Sequence, residues 1–114
     1  MSGDRALFYI LDAEHHLVAV DVEEWGKWFE NISNRCVGYT EITSEVCVST
    51  IFIGMDHRLL GDGPPIVFET LVMGGPLDGD GQRYSSWDDA EIGHRTYVRK
   101  TRAAMGQKVT EDNT

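Results

Sequence analysis

Proline occurs three times in this 114-residue chain and cysteine twice, and no apolar run approaches the roughly 20 residues needed to cross a bilayer. Each scarcity excludes something. Three prolines leave no proline-rich linker, two cysteines cannot build a disulfide-dense scaffold, and the missing apolar run rules out a membrane-crossing helix. The opening Met1-Ser2-Gly3-Asp4-Arg5 lacks the basic and apolar stretches of a secretory leader, so the expected location is cytoplasmic. Positive charge is scarce too, with 10 Lys and Arg against 19 Asp and Glu and a net charge of −9. Such a surface repels phosphate backbones and argues against direct nucleic-acid binding. Neither G-x-S-x-G nor a Walker or Rossmann glycine loop occurs, which removes the common hydrolase and nucleotide-binding signatures.

What is present suits a packed globule. The chain is 41% hydrophobic and carries three Trp, four Tyr and four Phe, enough for one core but too short for two. A single domain is expected over 1–106, with 107–114 as a frayed tail. Charge is unevenly placed: residues 1–94 hold 17 acidic and 5 basic residues (−12), and residues 95–114 hold 5 basic and 2 acidic (+3). An acidic body of this kind fits a basic protein surface.

Hydrophobic periodicity gives the element order. Ala6 to Leu11 reads as a strand, Asp12 to His16 as a turn, and Leu17 to Val20 as the hairpin partner. Asp21-Val22-Glu23-Glu24 is a capping-box pattern that opens a helix with Val22, Trp25, Phe29 and Ile32 as its buried stripe. Strands follow over Arg35 to Ile42, Glu45 to Gly54 and Ile66 to Met73, forming an antiparallel meander. Leu77 to Ser85 reads as a polar, glycine-rich loop. Ser86-Trp87-Asp88-Asp89 caps a last helix whose Trp87, Ala90, His94, Tyr97, Val98, Thr101 and Met105 share one face. The fold class is therefore α+β, with about five antiparallel strands against two amphipathic helices in the order β-β-α-β-β-β-α. The turn at Thr43-Ser44 sets Cys36 and Cys47 about four residues out of register, ~13 Å along the strands, beyond disulfide reach. Both are expected as reduced, buried thiols.

Taken in order, several blocks carry a resemblance: Ala6 to Ile10, Val20-Asp21 with Trp25-Gly26-Lys27-Trp28-Phe29-Glu30, Val48 to His57, Gly63-Pro64-Pro65 with Phe68-Glu69-Thr70, and Arg83-Tyr84-Ser85-Ser86-Trp87 with Ala90 and Gly93-His94. Together they resemble a family of short proteins of tailed phages and prophages that has no assigned activity. The resemblance spans roughly residues 6 to 98. It implies a phage or phage-derived origin and the host cytoplasm as location, and it supplies neither catalytic residues nor a substrate.

Two kinds of site can be read from the residues. Asp56 and His57 follow a strand, Glu69 alternates with Val67, Leu71 and Met73, and His94 lies on the apolar stripe of the last helix. If Glu69 and His94 meet, they form either an acid/base pair or a structural hydrogen bond. Chemistry on Asp56, His57, Glu69 and His94 would make the chain a small hydrolase or metal-dependent enzyme. Yet His15, His16, His57, His94, Cys36 and Cys47 fall into no recognised zinc spacing, and Asp78-Gly79-Asp80-Gly81 fails as a calcium loop because Arg83 stands where glycine is required. No metal or cofactor is expected. The other kind of site is a binding surface made by Trp28 with Glu23, Glu24, Glu30, Asp88, Asp89 and Glu91. That pattern points to an accessory protein that binds a protein partner, a host protein or a second copy in a homodimer, and blocks a defence or nucleic-acid-processing protein. A virion or assembly component is the remaining alternative.

Overall fold

The computed structural model of the chain describes residues 7–56 and 63–107. Its elements are β1 (Phe8–Leu11), β2 (Leu17–Val20), α1 (Val22–Phe29), a 3-10 turn (Ile32–Asn34), β3 (Cys36–Thr43), β4 (Val46–Phe52), β5 (Phe68–Met73), β6 (Gly81–Tyr84) and α2 (Trp87–Ala104). The class is α+β, as the periodicity predicts, with six strands in place of five. They form two antiparallel sheets, the hairpin β1-β2 and a sheet of order β3-β4-β5-β6. The additional strand is β6, inside the segment read as a loop. It is a four-residue edge strand entered through Gly79 and Gly81, too short and glycine-rich to show a period of two.

Both predicted caps form. The Asp21 carboxylate accepts the Glu24 N–H at 2.8 Å, and the Ser86 hydroxyl accepts the Asp89 N–H at 3.1 Å. Replacing Asp21 or Ser86 with Ala should therefore cost about 1 kcal/mol each in urea unfolding. α2 ends where Gly106 turns left-handed at φ 76°. Gln107, assigned to the tail, is instead tied back by its N–H to the Arg102 carbonyl at 2.9 Å. The rest of that tail lies outside the described residues.

The hairpin docks on the end of the large sheet through the Tyr9 N–H to the Gly54 carbonyl (2.7 Å) and the Asp56 N–H to the Leu7 carbonyl (3.0 Å). α1 packs on this hairpin more shallowly than its sequence stripe predicts. Trp25 stacks on Phe29 at 4.5 Å between ring centroids, but Val22 and Ile32 are exposed and no α1 residue is fully buried. The helix stops at Phe29, so Ile32 falls in the 3-10 turn and leaves the stripe.

α2 lies across one face of the four-stranded sheet. Its Ala90, Gly93, His94, Tyr97 and Thr101 are buried, matching the predicted stripe. Two apolar clusters fill the interface. One gathers Phe52, Phe68, Tyr84 and Ala90 with Leu11 of the hairpin, and the other gathers Ile42, Val46, Val48, Val72 and Tyr97. Trp28, proposed as an exposed anchor, is half-buried with its ring edge-on to Phe52 at 5.5 Å, and it belongs to the first cluster. The cysteines are free and out of register as expected: Cys36 pairs with Ile51, and Cys47 with Glu41. They are not buried, however. Cys36 is exposed on the edge strand, and Cys47 is half-buried.

Candidate functional site

Between the two apolar clusters lies a row of polar side chains drawn from every strand of the large sheet. Thr40 of β3, Thr50 of β4, Thr70 of β5 and Tyr84 of β6 point toward α2, where His94 meets them. His94 Nε2 lies 2.9 Å from the Thr40 hydroxyl, and Nδ1 lies 2.7 Å from that of Thr50. Thr50 and Thr70 hydroxyls are 2.6 Å apart, and the Tyr84 hydroxyl donates to Thr70 at 3.1 Å.

Proton counting orients this chain. If Tyr84 donates to Thr70, Thr70 to Thr50 and Thr50 to His94 Nδ1, the imidazole carries its hydrogen on Nε2 and donates it to Thr40. In that arrangement each of the four groups donates once; the tautomer is an assignment from proton counting. A protonated His94 would carry hydrogen on Nδ1 as well. Thr50 would then turn to donate to Thr70, and Thr70, accepting from both Thr50 and Tyr84, would be left with its own hydrogen without a place in the chain. His94 is only 9% exposed. Its pKa is lowered first by burial and then by the charge of Arg95. Burial also pushes the Tyr84 phenol up.

Two glycines make room for the row. A Cβ on Gly38, which pairs with Thr50 across β3 and β4, would sit 2.9 Å from His94 Cδ2. A Cβ on Gly93 would overlap the Tyr84 phenol. Neither glycine has an unusual φ among the left-handed positions, so close approach rather than backbone freedom is what requires them.

The proposed Glu69–His94 pair does not exist. Phe68, Thr70 and Val72 are the buried residues of β5, so Glu69 points away from α2 and places its Oε2 3.4 Å from Arg83 Nε. Asp56 lies elsewhere again, its carboxylate accepting the Ile66 N–H at 3.0 Å. His57 lies outside the described residues. Glu69 and His94 on opposite faces of one sheet cannot act on one substrate.

The acidic residues named from sequence are all exposed: Glu23, Glu24 and Glu30 on or at the end of α1, and Asp88, Asp89 and Glu91 in the first turns of α2. Sequence reading placed the hairpin turn at Asp12 to His16 but missed its contact with the second group. His15, held at φ 67°, stacks on Trp87 with ring centroids 3.6 Å apart and planes 10° apart. This contact brings Glu14 and His16 to one shallow cleft with Ser86 and Asp88. Asp12 anchors the turn by accepting the Glu14 and His16 N–H groups, each at 2.9 Å. The His16 N–H bond is the largest influence holding its carboxyl below the usual carboxylate range. His15 lies against Trp87, and His16 Nδ1 lies 3.8 Å from Asp12 Oδ2.

Among the described residues, ligand atoms of Asp12, Glu14 and His16 approach within 4.8 Å of one another, all on exposed side chains. The hydrogen-bonded turn accounts for that approach without a metal. No described helix is long and apolar enough to cross a membrane. No protein-family model, curated protein or solved structure matches the chain.

Proposed function

We propose that the chain is a small acidic accessory protein that works by binding another protein rather than by chemistry. The observation that carries this reading is the fate of His94. Both of its ring nitrogens are engaged by core threonines, and the carboxylate thought to assist it lies across the sheet. A general base needs a nitrogen within reach of substrate. His94 has neither a free nitrogen nor access.

The outer surface supports the alternative. Glu14 and Asp88 line one cleft, Asp12 lies in the same turn, and Asp89 and Glu91 continue along exposed α2 positions. A surface of this sign attracts a basic patch and speeds encounter with it. The resemblance to tailed-phage proteins makes a host protein the natural partner, and a groove that normally holds DNA is the kind of basic surface an acidic chain can occupy. In capture from bacterial extract with tagged protein, a basic nucleic-acid-handling protein should be retained at about 0.1 M salt and released near ~0.5 M. The Glu14→Lys/Asp88→Lys double variant should lose it. Equal retention by that variant would contradict the acidic surface as the binding face.

A further inference from the structure

The second face of the four-stranded sheet bears no layer among the described elements. Strand register places three rows of side chains on it. Glu41, Cys47 and Met73 form one row, Tyr39, Ser49 and Leu71 the next, and Ile51, Glu69 and Arg83 the third. β5 is an interior strand, and a covered interior strand buries both of its faces. Here Thr70 and Val72 are wholly buried, whereas Leu71 is 38% and Met73 39% exposed, with Tyr39, in the same row as Leu71, at 61%. The centre of the face is thus apolar and aromatic.

Its charge is unlike that of the rest of the molecule. The charged side chains in these rows are Glu41, Glu69 and Arg83, and the last two pair with each other. The acids of the hairpin turn, α1 and the start of α2 lie outside these rows. Two copies of a chain with net charge −9 repel over most approaches, but here each presents close to a single negative charge. A basic partner has little to hold on this face, whereas a second copy meets a matching neutral surface. Strands of 8, 7, 6 and 4 residues, at a rise of ~3.3 Å per residue and a spacing of ~4.8 Å, give a flat footprint of roughly 400 Å² per copy. A pair covers roughly 800 Å² before side-chain relief is added, which is the size of a weak, transient association rather than of a permanent dimer.

We propose that two copies of this chain associate sheet to sheet through the face centred on Tyr39, Ser49 and Leu71, leaving the acidic cleft of each copy open. Sedimentation equilibrium of the whole chain should show the mass rising from 12.8 kDa toward twice that value as concentration goes from about 1 to 500 µM, as expected for an interface of this small size. Adding salt should strengthen the association, because it screens the repulsion between like-charged copies and leaves apolar contact intact. Leu71→Asp should weaken it by about 30-fold, the effect of losing a central interface residue, while an unchanged circular dichroism spectrum reports a folded chain. Glu23→Lys, outside the face, should not weaken it. A monomer at 500 µM would overturn the proposal, as would a dimer that Leu71→Asp leaves intact or that salt dissociates. A monomer that loses an extract-captured partner on Leu71→Asp would also overturn it, by assigning the face to another protein.

Discussion

Replacing His94 with Ala is expected to destabilise the fold by about 3–5 kcal/mol, read as a drop in the urea midpoint. Two costs add. Thr50 and Thr40 each lose a hydrogen-bond partner, and a buried polar group left unpaired costs roughly 1–3 kcal/mol. Removing the imidazole also opens a cavity between two packed clusters. The same residue sets an acid dependence. Because the fold disfavours the charged imidazole, the unfolded chain, with a histidine pKa near 6.5, binds the proton first. This contribution to stability is complete above about pH 6.5 and is lost as pH falls from there through the lower folded value. His94→Ala should flatten that part of the profile. The Asp12 carboxyl, also held low, titrates in a more acidic window.

Gly93→Ala is expected to cost at least about 2 kcal/mol, against the sign that helix propensity alone gives. In an ordinary helix the exchange gains about 1 kcal/mol. Here the new methyl would overlap the Tyr84 phenol, and Tyr84 cannot retreat without giving up its hydrogen bond to Thr70. Overpacking of this kind costs about 1–3 kcal/mol and sometimes more, and the broken hydroxyl chain adds to it. Gly26→Ala is the control of opposite sign. Nothing lies within 4 Å of a Cβ at Gly26 in α1, so that variant should gain about 0.5–1 kcal/mol.

The two caps, the face of α2 and the order of the main strands were legible because each depends on residues close in sequence. Asp21 and Ser86 cap the turn that follows them, and the α2 stripe repeats over 18 residues. Strand β5 shows where legibility ends. Phe68, Thr70 and Val72 alternate with Glu69, Leu71 and Met73, so a period of two is plain but either face could be the core. Thr70 and its partners Thr50 and Tyr84 decide it, and those partners lie 20 and 14 residues away in sequence on other strands. The error about Trp28 has a related cause: its position flanking the α1 stripe was visible, but the Phe52 edge that covers it was not. Likewise, His15 and Trp87 are 72 residues apart, and no local pattern announces their stack. Candidate chemistry was legible as residue types. Its dispersal over both sheet faces was not.

Whether His94 holds the sheet together or stands ready for chemistry is tested most directly by following its ring signals by NMR as a function of pH. Burial in a closed hydroxyl chain predicts a neutral imidazole at pH 7 and a titration midpoint below the ordinary 6.5. A midpoint at or above that value would contradict the closed network and return His94 to the list of residues able to move a proton.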